Sequence, residues 1–292
     1  MKDSIQRKGF VLANTVFLSL LSIVCIYPVL YVCFASLSDS GRIMEHTGLL
    51  WKPLGFNVEA YRAVLKNPVI ASGYLNTIFV VVVGTAFNVA LTSLGAYFLS
   101  RKNVMLKNAV MTMIVITMFF SGGLIPFYLT VKMLGMYNSL WALIIPTGIN
   151  TYNLIIMRTS FSALPDSLIE SASLDGAGHW RILIRIVVPL SMPVIAVMIL
   201  YYAVGIWNSW FEASIYIKER TLFPLQLILR EILIDNDTTS MTAGSGDASD
   251  LMSIAESVKY AVIVFATIPI LCVYPFLQKY FVKGIMIGSV KG

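Results

Sequence analysis

The chain has 292 residues, of which 58% are hydrophobic and only 12% are charged, and its mean hydropathy is +0.80. Soluble globular domains carry charge on roughly a quarter of their residues, so this composition excludes an ordinary soluble domain and indicates a polytopic membrane protein. The net charge of +6 does not indicate nucleic-acid binding, because the basic residues are scattered in short loops beside apolar segments, where membrane topology explains them.

Six apolar segments are each long enough to cross a bilayer as a helix. They cover about residues 10–37, 74–99, 108–131, 139–157, 186–209 and 258–281. We therefore expect an all-α fold with six transmembrane helices and with both termini on the same side. The leader before the first span and the connections 100–107 and 158–185 are basic, so the positive-inside rule places both termini in the cytoplasm.

Two long connections, residues 38–73 and 210–257, are external loops in this topology. Their short apolar stretches, together with their Pro, Gly, Trp and Tyr content, predict small surface helices. Within the second loop, residues 235–250 are rich in Gly, Ser, Thr and Asp, which indicates a mobile loop unless a partner orders it. We expect a single membrane domain over residues 1–292, with its core at about 70–282.

The spans lack the groups that several other classes of membrane protein need. No Asp, Glu, Lys or Arg lies in the centre of a span, which argues against a proton-driven carrier. The sequence contains no GxxxxGK[ST] loop, and its only histidines, His46 and His179, form no metal-binding or catalytic motif. We therefore expect no enzyme active site and no bound cofactor or metal, and any ATP hydrolysis should take place on a separate subunit.

The polar segment 158–185 lies between two apolar runs and carries the most informative motif. A short helix is predicted here, begun by Pro165 and Asp166 and ended by glycine. Its apolar stripe and its terminal glycines are Leu168, Ala172, Leu174, Gly176 and Gly178. On physical grounds alone, an interfacial amphipathic helix and a docking helix for a partner fit this pattern equally well.

The motif within this segment closely resembles the EAA signature of binding-protein-dependent ABC importer permeases. In the form ExAxxDGA…PLSxP, it consists of Glu170, Ala172, Asp175, Gly176, Ala177, Pro189, Leu190, Ser191 and Pro193. Ser171 replaces the first alanine of the literal EAA, at a position where carbohydrate permeases often vary. The tail 276–292 and the stretches 120–160 and 205–230 also resemble permeases for complex oligosaccharides, so the resemblance covers nearly the whole chain.

This resemblance implies a type I ABC importer permease, a multi-pass protein of the bacterial plasma (inner) membrane. It would form a heterodimer with a second permease and work with two ATPase subunits and an extracytoplasmic solute-binding protein. ATP and magnesium would bind to the ATPase subunits. Residues 167–178 would form the coupling helix, which carries ATPase closure to the spans as a rigid-body shift. The expected contact residues are Leu168, Glu170, Ala172, Leu174, Asp175, Gly176, Ala177 and Gly178.

An oligosaccharide presents hydroxyls and apolar ring faces, so its path needs aromatic planes and neutral hydrogen-bonding groups. The residues predicted to line this path are Tyr128, Asn150, Tyr152, Asn153, Tyr202, Trp207 and Asn208. The three asparagines rank highest because a buried amide without a partner is costly. The aromatic residues near span ends also fit the alternative role of interfacial anchors.

Two alternatives to an oligosaccharide permease stay open at this point. A permease of the same architecture could carry a polyol, a glycerophosphodiester or a peptide. A membrane scaffold or receptor subunit could transmit binding without transporting anything. Resemblance to the complex-oligosaccharide subgroup suggests acidic plant or algal oligosaccharides as cargo, while the sequence itself identifies neither the length nor the charge of the sugar.

Overall fold

A computed structural model of the chain describes residues 5–102, 104–234, 256–273 and 275. These residues form helices and turns without a β-strand, apart from an isolated antiparallel bridge between Ser38 and Phe56. The predicted all-α class is therefore confirmed over this part of the chain. The loop predicted at 235–250 and the tail 276–292 lie outside the described residues.

The helices follow one another closely along the chain. They are α1 (Ile5–Ser36), α2 (Ser40–Glu45), α3 (Glu59–Lys66), α4 (Pro68–Ser100), α5 (Lys107–Phe119), α6 (Leu124–Met133), α7 (Trp141–Ile144), α8 (Thr151–Ser162), α9 (Asp166–Leu174), α10 (His179–Ile182), α11 (Val188–Leu190), α12 (Met192–Trp207), α13 (Phe211–Tyr216), α14 (Leu225–Ile234) and α15 (Glu256–Val273). A π-helical turn, Leu183–Val187, joins α10 to α11, and a 3₁₀ turn, Arg220–Leu222, precedes α14. The small helices predicted in the two long loops are present as α2, α3, α13 and α14.

The chain divides into two compact units, of which the first comprises residues 1–70 and 231–268. Its long helix α1 is apolar, and none of the residues in its apolar window is buried. A small core forms around Ala35, Ile43 and Leu50. Ser257 fastens the start of α15 to the start of α2, because its hydroxyl donates to the Ser38 carbonyl at 2.8 Å and accepts from the Ser40 hydroxyl at 2.8 Å.

The second unit comprises residues 71–230 and 269–292. Its main core brings α4, α8, the π-helical turn and α12 together. The buried residues of this core include Leu99, Leu154, Met157, Phe161, Val187 and Met198. Because these side chains come from four separate helical segments, the core fixes the positions of the segment ends at which polar residues collect.

Three described helices are long and apolar enough to cross a membrane, namely Arg7–Ser36, Pro68–Ser100 and Glu256–Val273. Two bent pairs raise the possible number of spans to five: α5 with α6, bent by 115°, and the α10–α11 region with α12, bent by 87° at Ser191. Proline in the first turn of α12 helps to explain the second bend, since it cannot donate a backbone hydrogen bond to the preceding turn.

The expectation of one continuous helix across residues 139–157 is wrong. The helix α7 ends at Ile144, and α8 begins only at Thr151. Pro146 lies in the break and lacks a backbone donor, while the side chain of Asn150 caps α8 by accepting from the Asn153 backbone N–H at 3.1 Å. A helix start inside an otherwise apolar stretch therefore divides the predicted span into two pieces.

Candidate functional site: an exposed short helix and a polar cavity

The helix α9 begins directly after Pro165 and ends in a Schellman motif, in agreement with the predicted helix. The Gly176 N–H donates to the Ser173 carbonyl at 3.1 Å, and the Ala177 N–H donates to the Ala172 carbonyl at 2.9 Å. Gly176 has a φ of +77°, in the left-handed region that favours glycine over every residue with a side chain. The DGA part of the motif is therefore a helix stop whose geometry depends on its glycine.

One face of α9 packs against the core of the second unit, and the opposite face is exposed. Ile169 and Ala172 are partly buried against that core, whereas Leu174 is 89% exposed and Leu168 is also exposed. The predicted apolar stripe is thus divided between two faces. The remaining predicted coupling residues are exposed, except for partly buried Ala177: Glu170, Asp175, Gly176 and Gly178.

Two residues that anchor α9 or extend its exposed apolar surface were not predicted from the sequence. Ile169 is the inward-facing residue that anchors α9, and its spacing of three from Ala172 is the helical signal that could have identified it. Trp180 lies just after the expected coupling helix 167–178, and because it is 67% exposed it enlarges the exposed apolar surface. The signal for Trp180 in the sequence was its position as a large aromatic residue next to a basic, polar segment.

An ion pair holds the start of α9 beside the end of α4. The Lys102 ammonium lies 2.5 Å from the Asp166 carboxylate. The hydrogen bond from Lys102 lowers the pKa of Asp166 below its ordinary value, and the same bond raises the pKa of Lys102. Both side chains are exposed, so the pair contributes little to stability, but it marks where the two elements meet.

The neighbouring Arg101 makes a stronger set of contacts at the same end of the unit. Its guanidinium donates to the Phe161 carbonyl at 3.0 Å and to the Ser100 hydroxyl at 3.0 Å, and it lies 5.2 Å from the centre of the Tyr97 ring. Arg158 also donates to the Leu99 carbonyl at 3.3 Å. Sequence reasoning assigned these basic residues to topology alone, whereas the structure shows that they also join α4 to α8.

A cavity of about 300 Å³ lies in the second unit, beside the N-terminal end of α8. Residues of α4, α7, α8, α12 and α13 and the adjoining loops line it. Its polar lining consists of Asn88, Thr147, Asn150, Asn153, Tyr201, Tyr202, Ser209 and Glu212. Among the residues that line it, Glu212 carries the charge, and the rest are neutral.

Three of the predicted path residues, Asn150, Asn153 and Tyr202, line this cavity. The Tyr202 hydroxyl accepts from the Asn150 backbone N–H at 3.0 Å and lies 2.7 Å from the Thr92 hydroxyl. Tyr202 thereby ties the start of α8 and the middle of α4 to α12. These side chains shape the cavity as well as lining it.

The other four predicted path residues do not line the cavity. Trp207 is buried against Tyr74, with ring centroids 6.0 Å apart, and Tyr128 stacks on Tyr216 at 6.1 Å. Tyr152 and Asn208 are exposed elsewhere.

The sequence analysis missed five polar residues of the lining: Asn88, Thr147, Tyr201, Ser209 and Glu212. For Asn88, the signal was present in the sequence as an amide in the middle of the long apolar helix α4.

Comparisons with known proteins agree on one family. The sequence pattern of the family described as binding-protein-dependent transport system inner membrane component matches residues 91–287. The polygalacturonan/rhamnogalacturonan transport system permease protein YtcP of Bacillus subtilis is 42% identical over 281 residues, which cover 94% of this chain and 96% of that protein.

Solved structures match over nearly the same length. A chain from the crystal structure of a bacterial ABC transporter involved in the import of the acidic polysaccharide alginate superposes with a TM-score of 0.87 at 29% identity, covering 96% of this chain and 99% of that chain. A chain from the alginate transporter in complex with an alginate pentasaccharide-bound periplasmic protein shares the fold, with a TM-score of 0.58 at 14% identity over 93% of each chain.

Proposed function

We propose that this chain, which belongs to the family of binding-protein-dependent transport system inner membrane components, forms half of the translocation path of an ATP-driven oligosaccharide importer. Membership of the family confirms the predicted ABC permease, and it confirms that the chain is a transport component rather than an enzyme. The observation that carries the choice of cargo is the 42% identity to a permease named for polygalacturonan and rhamnogalacturonan.

The chain crosses the bacterial inner membrane six times in this proposal, with both termini in the cytoplasm. Five of the crossings correspond to the three long apolar helices and the two bent pairs. The sixth would be the broken region α7–α8, which is too interrupted to count as a helical span by itself. Clustering of Arg101, Lys102 and Arg158 at one end of the second unit supports this end as the cytoplasmic one.

The segment 167–178 couples this permease to a separate ATPase subunit. The exposed side chains of Leu168, Glu170 and Leu174 offer apolar and acidic contacts, while Ile169 and Ala172 fasten the helix to the core of its own unit. A helix anchored in this way moves as a rigid body when a partner moves it, and it transmits that motion to α4 and α8. ATP and magnesium bind to the ATPase subunit in this scheme.

The complete importer contains a second permease, ABC ATPase subunits and an extracytoplasmic solute-binding protein. Support for the last of these comes from the family description and from the related alginate importer, whose structure contains a pentasaccharide-bound periplasmic protein. The sugar passes between the two permeases, and this chain contributes the neutral lining that includes Asn150, Asn153 and Tyr202.

Reconstitution of the assembled importer into proteoliposomes tests this function. ATP hydrolysis should rise when binding protein and oligosaccharide are added, and the sugar should accumulate inside the vesicles. Glu170→Ala should abolish most of that stimulation while leaving assembly intact, because the exposed carboxylate would no longer meet the ATPase.

The matched control is Glu45→Ala, which removes an exposed glutamate from α2, far in sequence from residues 167–178. Unchanged stimulation in Glu170→Ala would refute the coupling role of this residue. Stimulated hydrolysis without sugar uptake would instead favour a receptor subunit that transmits binding but transports nothing.

A further inference from the structure

The cavity contains a buried hydrogen-bond acceptor for which no described residue provides a donor. Asn88 is 1% exposed, it lines the cavity, and its Oδ1 has no hydrogen-bond partner among the described residues. Buried polar atoms are paired in the great majority of cases, and an unpaired one costs about 1–3 kcal/mol. A donor supplied by a bound molecule would remove that cost.

Other polar groups of the cavity also present acceptors. The Thr147 hydroxyl donates to backbone carbonyls of the preceding turn at 3.1 Å, and the Ser209 hydroxyl donates to the carbonyl three residues earlier at 2.8 Å. Each hydroxyl has one proton to give, so lone pairs are what remain for a ligand. The carboxylate of Glu212 adds two further acceptor oxygens.

Donors in the cavity are neutral. The amides of Asn150 and Asn153 supply N–H groups on the α8 side, and no Lys, Arg or His is among the residues that line the cavity in the described part of the chain. Aromatic surface comes from Tyr201 and Tyr202. The lining is therefore rich in acceptors, has amide donors, and bears negative rather than positive charge.

We propose that this cavity is a subsite for one neutral, hydroxyl-rich sugar unit and that it disfavours a sugar unit bearing a carboxylate. The inference rests on the proposed function, since it assigns part of the transported sugar to this subunit. A hydroxyl both donates and accepts, so it satisfies Asn88 in either orientation of the amide. A volume of about 300 Å³ lies at the small end of ligand pockets, which suits a single ring rather than a chain.

A uronate fits this lining poorly because of its charge. Its carboxylate would place a second negative charge beside Glu212, and no Lys, Arg or His among the described lining residues offsets that charge. The charge preference of the cavity is thus opposite to that expected from the acidic polysaccharides named for the related transporters.

Equilibrium binding to the assembled transporter in nanodiscs, without binding protein or ATP, tests the subsite. The two probes are digalacturonate and its dimethyl ester, which differ in carboxylate charge while keeping the same ring hydroxyls. The ester should bind at least about tenfold more tightly than the acid. Asn88→Leu should weaken ester binding about tenfold, because the group that receives the hydroxyl is lost.

Glu212→Gln removes the charge and keeps the shape, so it should narrow the preference for the ester by strengthening the binding of the acid. The control Asn108→Leu makes the same chemical change at an exposed position of α5, and it should leave both affinities unchanged. If Asn88→Leu prevents assembly, the subsite is tested with Glu212→Gln alone, because Glu212 is only partly buried.

Equal binding of the two probes, or unchanged affinities in both cavity variants, overturns the subsite. If neither probe binds to a transporter that still hydrolyses ATP in response to binding protein, the cavity holds only water and the inference fails while the proposed function stands. Failure of both binding and stimulated hydrolysis overturns the inference together with the proposed function.

Discussion

Truncation of one exposed leucine should weaken the docking of the ATPase subunit without disturbing the fold of the permease. Leu174 lies at the end of α9 and is 89% exposed, so its side chain contributes almost nothing to the core of its own chain. Leu174→Ala removes three carbons, each of which stabilises a buried contact by about 0.8 kcal/mol. Scaled by the 89% of the side chain that is free to become buried, the loss is about 2 kcal/mol.

A loss of this size corresponds to a roughly 30-fold weaker affinity for the ATPase subunit. Binding of the purified ATPase to the permease heterodimer in nanodiscs measures it directly. The control is Leu134→Ala, the same truncation at a leucine that is 66% exposed after α6, which should leave the affinity unchanged. Equal affinities for the native chain and Leu174→Ala, or an equal loss in the control, would refute docking through this face.

Three further changes test the contacts around the two sites. Tyr202→Phe leaves the buried Thr92 hydroxyl and the Asn150 backbone N–H without their partner, and it should destabilise the complex by about 1–3 kcal/mol. A lower thermal unfolding midpoint would report this loss, and an unchanged midpoint would contradict it. Gly176→Ala should destabilise the end of α9 by about 1–2 kcal/mol through backbone strain alone, because nothing lies within 4 Å of the added Cβ. Faster amide exchange at the end of α9 would report this strain, and native exchange rates would count against it. The ion pair between Lys102 and Asp166 is lost only when pH falls through the lowered pKa of the carboxyl or rises through the raised pKa of the ammonium. The ratio of stimulated hydrolysis in the native chain to that in Lys102→Ala should therefore stay constant between about pH 6 and 8. A ratio that varies with pH in this range would be inconsistent with the pair.

The short helix α9 could be predicted well because its signals are local. Proline before the helix fixes the chain at its start, and Gly176 provides the left-handed stop at its end. Both effects act over a few residues and need no knowledge of the tertiary structure. The direction of the helix faces was harder to predict, because Ala172 lies on the buried face with Ile169 whereas Leu168 and Leu174 are exposed.

The break between α7 and α8 shows where hydropathy fails. Residues 139–157 are apolar enough for a span, and apolar character alone does not reveal that the backbone leaves the helix after Ile144. The N-cap of Asn150 was available as a signal, but the same residue was interpreted only as part of a sugar path. It caps the helix and lines the cavity at once.

Contacts between distant parts of the chain could not be predicted from the pattern. The pair of Lys102 with Asp166 and the bond from Arg101 to the Phe161 carbonyl join residues about 60 positions apart. Asn88 illustrates the same limit, since its importance comes from the lack of a donor to its Oδ1 among the described residues rather than from its neighbours in sequence. Packing of α4 against α8 and α12 creates these relationships.

The bare surface of α1 has a consequence for how this protein tolerates mutation. Because none of the residues in the apolar window of this helix is buried by its own chain, the rest of the fold places no demand on the identity of any one of them. Their surroundings, lipid or a neighbouring subunit, require only apolar character over a sufficient length. Exchanges among leucine, valine, isoleucine and phenylalanine should therefore accumulate freely in the apolar window of α1, while the buried positions of α4, with Asn88 and its packed small residues, should accept few.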